Sequence, residues 1–214
     1  MSKKVFSLIC AVSCSLIWGS AFIAQDMGMD YNGPFTFTFG RLFLGFLTLV
    51  PFLIIYEYKK IKPLIFKAQN IYNFLLIGFL LSMGNALQQF ALLYTDVANT
   101  AVFTIFYVVL VPFVSYYFFS KFIHNSVWLA IIICLFGGIL LTEFDNIKVR
   151  IGDSIAVVNA LFWAFHIVFI SRFLKVFNFP ITIACVQCLI ASFFALLPAL
   201  VFENVELSNM ILDG

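Results

Sequence analysis

Long stretches without a charged residue dominate the sequence. Six of them are at least 18 residues long, and a seventh, residues 31–56, is interrupted only by Arg41. An α-helix rises about 1.5 Å per residue and needs about 20 residues to cross the hydrocarbon core of a bilayer. The sequence therefore predicts an all-α polytopic membrane protein with seven transmembrane helices. The six uncharged stretches are residues 5–25, 68–95, 97–120, 122–142, 154–171 and 176–202.

The composition excludes the common classes of soluble protein. Of the 214 residues, 64% are hydrophobic and 10% are charged, and the mean hydropathy is +1.09. Soluble domains average about half apolar and a quarter charged residues, so this chain has too few charges to cover a water-facing surface. Its 29 phenylalanines exclude disorder, and its five cysteines do not indicate a disulfide scaffold.

Lysines and arginines between the predicted helices set the orientation. Counted from the N-terminus, alternate loops hold nine of the twelve basic residues, the opposite loops hold only Lys148 and Arg150, and Arg41 lies within a helix. Basic loops stay in the cytoplasm, so the N-terminus is predicted to be cytoplasmic in a bacterial-type plasma membrane. The nine residues are Lys3, Lys4, Lys59, Lys60, Lys62, Lys67, Lys121, Arg172 and Lys175.

Two pairs of predicted helices share their landmarks at a constant distance. The second begins at Pro34 and reaches Arg41 seven residues later, and the seventh begins at Pro180 and reaches Gln187 at the same offset, a shift of 146 residues. The first and sixth helices share a tryptophan at a shift of 145, within Leu16-Ile17-Trp18-Gly19 and Leu161-Phe162-Trp163-Ala164. These two shifts agree within one residue and indicate an internal repeat.

The repeat unit predicts an inverted arrangement. A first unit, residues 1–146, would contain five helices, and because five is odd, a second unit beginning at residue 147 would cross the membrane in the opposite direction. Inverted repeats are typical of secondary transporters, which hold the solute near the membrane midplane. Two such units would make ten helices, so residues 147–214 are expected to be an incomplete second unit, with residues 203–214 leading towards an eighth helix.

Several short motifs resemble those of the EamA-type permeases of the drug/metabolite transporter superfamily. In the first half these are Trp18-Gly19-Ser20-Ala21-Phe22, Pro34-x-Thr36 followed by Arg41, and Ala91-Leu92-Leu93-Tyr94-Thr95. In the second half they are Gly152-Asp153-Ser154 and Ala160-Leu161-Phe162-Trp163-Ala164. The acidic residue that often follows the fourth helix in this family is absent from Ser120-Lys121-Phe122-Ile123-His124.

The resemblance implies a ten-helix carrier of the inner membrane with two inverted halves around a central cavity. Members of this family usually export amino acids or other small metabolites. The implied partners are therefore a small-molecule substrate and the lipid bilayer, and a homodimer is left open. The first alternative is that the 214-residue chain is an inactive fragment of such a carrier.

Arg41 is the strongest candidate for solute binding within the predicted helices. An arginine in mid-helix costs about 2.5–3.5 kcal/mol to insert, so it should face the protein interior and find a partner or water. Trp18 is expected at a similar depth below the outer surface, and Gln187 and Trp163 at the same distance from the cytoplasmic side. Two interpretations stay open: Arg41 attracts an anionic solute or gates its passage, or it bonds to carbonyl groups and stabilises the helix bundle.

Uncharged polar residues in the third and fourth helices are further candidates. Asn85, Gln88 and Gln89 are spaced to lie on roughly one face, where they would bind solute or, as the simpler explanation, form interhelical hydrogen bonds. Tyr107 is predicted near mid-depth, either packed between helices or facing the solute. Pro112 lacks a backbone N–H and is expected to loosen the helix.

His166 follows Trp163 by three residues and should share its side of the helix. Either a neighbouring carbonyl satisfies a neutral imidazole, or the residue relays protons. Cys185 and Cys188 form a C-x-x-C inside an apolar helix with no second pair, so we predict no metal site. The sequence has no nucleotide-binding, metalloprotease or hydrolase motif and no basic stripe, so no enzyme activity, cofactor or nucleic-acid partner is predicted.

Proton coupling lacks an obvious site in this sequence. Carriers driven by protons often place a carboxylate at membrane depth, whereas Glu143 and Asp153 are predicted only at helix ends. A seven-helix receptor or retinal protein is the weaker alternative to a carrier, because the predicted N-terminus is cytoplasmic and the seventh helix has no lysine for a Schiff base.

Overall fold

The computed structural model describes residues 2–30, 32–61, 67–120, 122–141 and 150–203. These residues form helices and include no strand, which confirms the prediction of an all-α polytopic membrane protein. In chain order the helices are α1 (Lys3–Gly28), α2 (Pro34–Tyr56), α3 (Tyr58–Ile61), α4 (Ala68–Tyr94), α5 (Val97–Ile105), α6 (Tyr107–Phe119), α7 (Asn125–Leu141), α8 (Ile151–Phe177) and α9 (Pro180–Phe202).

Six of the seven predicted membrane crossings are helices long and apolar enough to span a bilayer. They are α1, α2, α4, the consecutive pair α5 and α6, α8, and α9. The fifth predicted crossing coincides with α7, which has 17 described residues. Among the sequence landmarks, Lys62, Lys121, Glu143 and Lys148 lie outside the described residues, as do residues 204–214.

Local sequence explains where the main helices begin and end. Proline is the first residue of both α2 and α9, where its fixed φ suits a helix and its missing N–H breaks no internal bond. Asn178 ends α8 in the left-handed conformation with φ of 53°. The fourth crossing is interrupted at Phe106, between α5 and α6, and continues unbroken through Pro112.

Two antiparallel helix pairs form the centre of the bundle. Helix α2 packs most extensively against α9, and α4 against α8. Helix α2 also runs antiparallel to α4, because Phe35 meets the Phe90 ring and Arg41 meets Asn85. The bundle therefore has one end at which α2 finishes and α9 begins, called here the Glu57 end, and an opposite end, called the Glu203 end.

Glycines allow α4 and α8 to approach each other closely at two points. A Cβ placed on Gly152 of α8 would lie 2.7 Å from the Ala91 carbonyl oxygen and from the Thr95 nitrogen of α4. A Cβ on Gly84 of α4 would lie 3.3 Å from the Trp163 indole of α8. These two contacts fix the register of α4 against α8 over most of their length.

Aromatic side chains fill the core at the Glu57 end. Phe74 of α4 makes edge-to-face contacts with Phe173 and Phe177 of α8, with ring centroids 4.9 and 5.4 Å apart. Ile61 and Ile183 are buried in the same cluster. Edge-to-face aromatic pairs contribute beyond the area they bury, so this cluster holds α4, α8 and α9 together.

Candidate functional site

Three aromatic side chains from different helices meet at the centre of the bundle. Trp18 of α1 stacks on Tyr107 of α6, with ring centroids 6.0 Å apart and planes inclined by 16°. Trp18 also contacts Trp163 of α8 at 5.3 Å, and Trp163 packs on Leu42 and Leu81. We call Trp18, Tyr107 and Trp163 the aromatic cluster.

The contact between Trp18 and Trp163 corrects the expectation that they lie at different depths. Helix α1 continues to Gly28, ten residues beyond Trp18, and α8 begins at Ile151, twelve residues before Trp163. Both side chains therefore lie near the middle of their helices. Because the two tryptophans are the matching residues of the predicted repeat, their contact is the one expected at a pseudo-twofold axis.

Arg41 lies seven residues after the first residue of α2, within the span, with only uncharged partners among the described residues. Its guanidinium donates a hydrogen bond to Oδ1 of Asn85 on α4 and lies 5.7 Å from the centre of the Phe37 ring. In the described part of the chain, the only salt bridge joins Arg150 and Asp96. A cation without a carboxylate partner in a low-dielectric interior has a strong affinity for an anion.

Two of the three amides of α4 have separate partners, although the spacing of all three predicts a common face. Asn85 accepts from Arg41 and donates to the Leu81 carbonyl oxygen at 2.7 Å. Gln88 donates from Nε2 to Oε1 of Gln25 on α1 at 3.0 Å. Gln89 is fully buried, and within the described part of the chain neither of its side-chain polar atoms has a hydrogen-bond partner.

His166 extends the central site towards α9. Its Nε2 lies 3.1 Å from Oε1 of Gln187, and its ring packs edge-to-face on Trp163 at 5.8 Å. His166 and Gln187 are both buried, so the side-chain amide satisfies a neutral imidazole. The structure therefore brings together Trp163, His166 and Gln187 on one side of the centre and Arg41 and Asn85 beside them.

A cavity of about 270 Å³ lies against the aromatic cluster, between α1 and the α5–α6 break. Its wall includes Trp18, Tyr107, Thr104 and Ser15. Pockets for drug-sized ligands run from about 300 to 1,000 Å³, so this cavity suits a smaller metabolite. A second cavity of about 430 Å³ lies at the Glu57 end, where Gln69, Asn73 and Arg172 contribute to its wall.

Two glutamates hold α2 and α9 together through a pair of matching contacts. The Glu203 carboxylate, just after α9, accepts the N–H groups of Phe35 and Thr36 and the Thr36 hydroxyl, each at 2.7 Å. At the other end, the Glu57 carboxylate, just after α2, accepts the N–H and hydroxyl of Thr182 at 2.7 and 2.6 Å. Each carboxylate thus satisfies the free N–H groups at the start of the other helix.

At the Glu203 end, α4 and α8 are also joined by polar contacts. Asp153 accepts the Thr95 hydroxyl at 2.6 Å and the Arg150 backbone N–H at 2.8 Å. The Arg150 guanidinium pairs with Asp96 at 2.5 Å, but both side chains are about half exposed or more, so this ion pair contributes little stability. The buried hydrogen bond between Thr95 and Asp153 therefore holds α4 against α8 more strongly than the exposed ion pair does.

The internal repeat also relates the two glutamates, which were not among the site residues expected from the sequence. Glu57 and Glu203 are 146 residues apart, as are Thr36 and Thr182, which is the shift already indicated by Pro34 and Pro180. Extending the repeat past the helix ends would have found all four contacting residues. Gln25 and Asn159 were also missed, because nothing in their local sequence shows which neighbours they meet.

Comparison with known families places residues 5–143 in the EamA-like transporter family. An uncharacterized transporter from Archaeoglobus fulgidus is 27% identical over 176 residues, which are 82% of this chain and 52% of that relative. The chain thus spans about half the length of the curated relative it matches. No solved structure matches the chain. The resemblance to EamA-type permeases is confirmed, and the chain belongs to the EamA-like transporter family of multi-pass membrane transporters.

Proposed function

We propose that this protein is a secondary carrier of small metabolites bearing a carboxylate, such as amino acids, and that it exports them across the plasma membrane. Residues 1–146 would be one five-helix repeat, and residues 147–214 the start of an inverted second repeat. Export is the usual direction in the family that the sequence resembles. Comparing solute release from cells with and without the protein tests the direction, and faster accumulation inside would contradict export.

The Arg41 guanidinium carries this proposal. It lies within the span of α2 beside neutral groups only, Asn85 and the Phe37 ring, among the residues described. Keeping an uncompensated cation there costs free energy, which a solute carboxylate would recover through charge-assisted hydrogen bonds. The aromatic cluster provides an apolar wall next to this position, because Asn85 follows Gly84, which faces the Trp163 indole.

The proposed mechanism is alternating access between the two ends of the bundle. The Thr95–Asp153 hydrogen bond joins α4 to α8 at the Glu203 end, whereas a 430 Å³ cavity lies between the same two helices at the Glu57 end. These features support a state closed at the Glu203 end. A cysteine at Asn73 should then react with a water-soluble thiol reagent faster than a cysteine at Thr95, and equal rates would contradict this state.

A pair of matched solutes tests the proposed function. Proteoliposomes containing the protein should take up a labelled amino acid selectively over its carboxamide, in which an uncharged group replaces the carboxylate. We expect at least a tenfold difference, because hydrogen bonds to charged groups contribute about 1.5–3 kcal/mol. Liposomes without protein supply the background. Equal uptake of the acid and the carboxamide would overturn the assignment of a carboxylate-bearing substrate.

Orientation rests on the positive-inside rule. The described basic residues Lys59, Lys60, Lys67, Arg172 and Lys175 belong to helix ends and loops at the Glu57 end. We propose that this end, and the N-terminus with it, faces the cytoplasm. A reporter active only in the cytoplasm and fused to the N-terminus should be active, and an inactive reporter on a stable fusion would reverse the orientation.

We infer that the chain acts as a transporter without enzymatic chemistry. The match to a transporter family and the transporter name of the curated relative support this inference. A homodimer is tested through Cys10 and Cys14, which are exposed on α1. Oxidative cross-linking of the protein in membranes should give a dimer if α1 meets a second copy, and no cross-link would leave the dimer unsupported.

A further inference from the structure

Several buried polar atoms in the bundle have no hydrogen-bond partner among the described residues. Such atoms are rare in native structures, because burial removes the water that would otherwise bind them. They belong to side chains of α1, α4, α5 and α8. The atoms are Gln25 Nε2, Gln88 Oε1, Gln89 Oε1 and Nε2, Thr100 Oγ1, Asn159 Oδ1 and Trp163 Nε1.

The register of α4 against α8 places two of these side chains opposite each other. Gly84 meets Trp163, and Thr95 meets Gly152. These two contacts are eleven residues apart on each chain segment, and α4 and α8 run in opposite directions. Gln88 lies four residues after Gly84, and Asn159 four residues before Trp163. Both are therefore one helical turn from the Gly84–Trp163 contact, on the same side of it.

Each of these two amides is already held by a partner from another helix. Gln88 Nε2 donates to Gln25 Oε1 on α1 at 3.0 Å, and Asn159 Nδ2 donates to Thr104 Oγ1 on α5 at 3.1 Å. We call Gln25, Gln88, Thr104 and Asn159 the amide cluster; all four are nearly or fully buried. However the amides are turned, each uses one polar atom in its pair and leaves the other free.

The amide cluster adjoins the 270 Å³ cavity beside Trp18 and Tyr107, and it contains no charged residue. Thr104 belongs to both the cluster and the wall of the 270 Å³ cavity. Along α4, Gln88 is three residues beyond Asn85, the partner of Arg41, which is a rise of about 4.5 Å. A solute whose carboxylate binds Arg41 would therefore reach the amide cluster with a second polar group that lies a few bonds from the carboxylate.

We propose that the amide cluster is a specificity-determining subsite that binds an uncharged hydroxyl or carboxamide group of the transported solute. This inference rests on the proposed function, in which Arg41 binds the solute carboxylate. Free amide atoms offer both donors and acceptors, and a site built to hydrogen-bond a group rejects an analogue that lacks it. The carrier should therefore prefer threonine to valine, which has nearly the same shape but a methyl group in place of the hydroxyl.

Competition between these two amino acids tests the subsite. The wild-type protein in proteoliposomes should bind threonine about tenfold more tightly than valine. In Asn159→Leu, which replaces the amide by an apolar side chain of similar size, the preference should fall to about onefold. Asn99→Leu makes the same change on α5 at a half-buried asparagine outside the cluster, and should keep the tenfold preference.

Two results separate this inference from the proposed function. Equal binding of threonine and valine by the wild type, with the amino acid still favoured over its carboxamide, would overturn the subsite and leave Arg41 in its role. A threonine preference that survives Asn159→Leu would also overturn it. If that variant does not fold, Gln88→Met removes the free Oε1 of Gln88 at nearly the same side-chain length and is expected to reduce the preference in the same way.

Discussion

Replacing Arg41 with glutamine should reduce the affinity for carboxylate-bearing solutes by about 10- to 100-fold. Glutamine keeps a polar amide at this position but is two bonds shorter than arginine, so the charge is lost while a hydrogen-bonding side chain remains. Hydrogen bonds between charged partners contribute about 1.5–3 kcal/mol, and each 1.4 kcal/mol corresponds to a tenfold change in affinity. Concentration-dependent uptake of a labelled amino acid into proteoliposomes measures the loss.

The stability of the same variant distinguishes binding from bundle stabilisation. An arginine in mid-span costs about 2.5–3.5 kcal/mol on insertion, and Arg41 has no carboxylate partner among the described residues. Arg41→Gln should therefore unfold at the same detergent concentration as the wild type or at a higher one. Arg41→Lys keeps the charge without the planar fork and should show an intermediate loss of affinity. Unchanged transport with lower stability would instead assign Arg41 a purely structural role.

Replacing either Glu57 or Glu203 with glutamine should destabilise the bundle by about 1–3 kcal/mol. Each carboxylate accepts hydrogen bonds from the first turn of the opposite helix and compensates the positive end of its dipole. A glutamine in place of Glu203 would turn its NH₂ group towards the N–H of Phe35 or Thr36, leaving one donor unsatisfied. Unfolding in denaturing mixed micelles measures the loss of free energy.

The positions of the two glutamates predict how their effects combine. They lie at opposite ends of the 23-residue helices α2 and α9, about 34 Å apart, so the losses in a double variant should add to within about 0.5 kcal/mol. Gly33→Ala should imitate the loss at one end only, because its Cβ would lie 2.4 Å from Glu203 Cδ.

The matched control variant removes a carboxylate that caps neither α2 nor α9. Asp26 is exposed on α1, and Asp26→Asn should leave the free energy of unfolding nearly unchanged. If Glu57→Gln and Glu203→Gln were as stable as Asp26→Asn, the two glutamates would not hold α2 against α9.

Candidate residues could be predicted from the sequence where a side chain is anomalous in its own helix. Arg41 is the single charge in a long apolar run, and Trp18 and Trp163 are matched by the internal repeat, so local composition identified them. The depths of the two tryptophans were misplaced, because helix ends determine depth, and α1 extends to Gly28 while α8 begins at Ile151. Gln25 and Asn159 gave no such signal, since a single amide is ordinary in an apolar helix.

The amino-acid sequence by itself determined that the chain crosses a membrane, and where, because partition into lipid depends on the composition of each segment. Only the tertiary structure decided which polar groups meet, because that depends on the register between helices distant in sequence. Glu203 reaches Thr36 across 167 residues, and Glu57 reaches Thr182 across 125. An unpaired polar group in an apolar interior costs free energy. Helix packing that pairs these groups therefore joins the apolar segments into one structure with a central site.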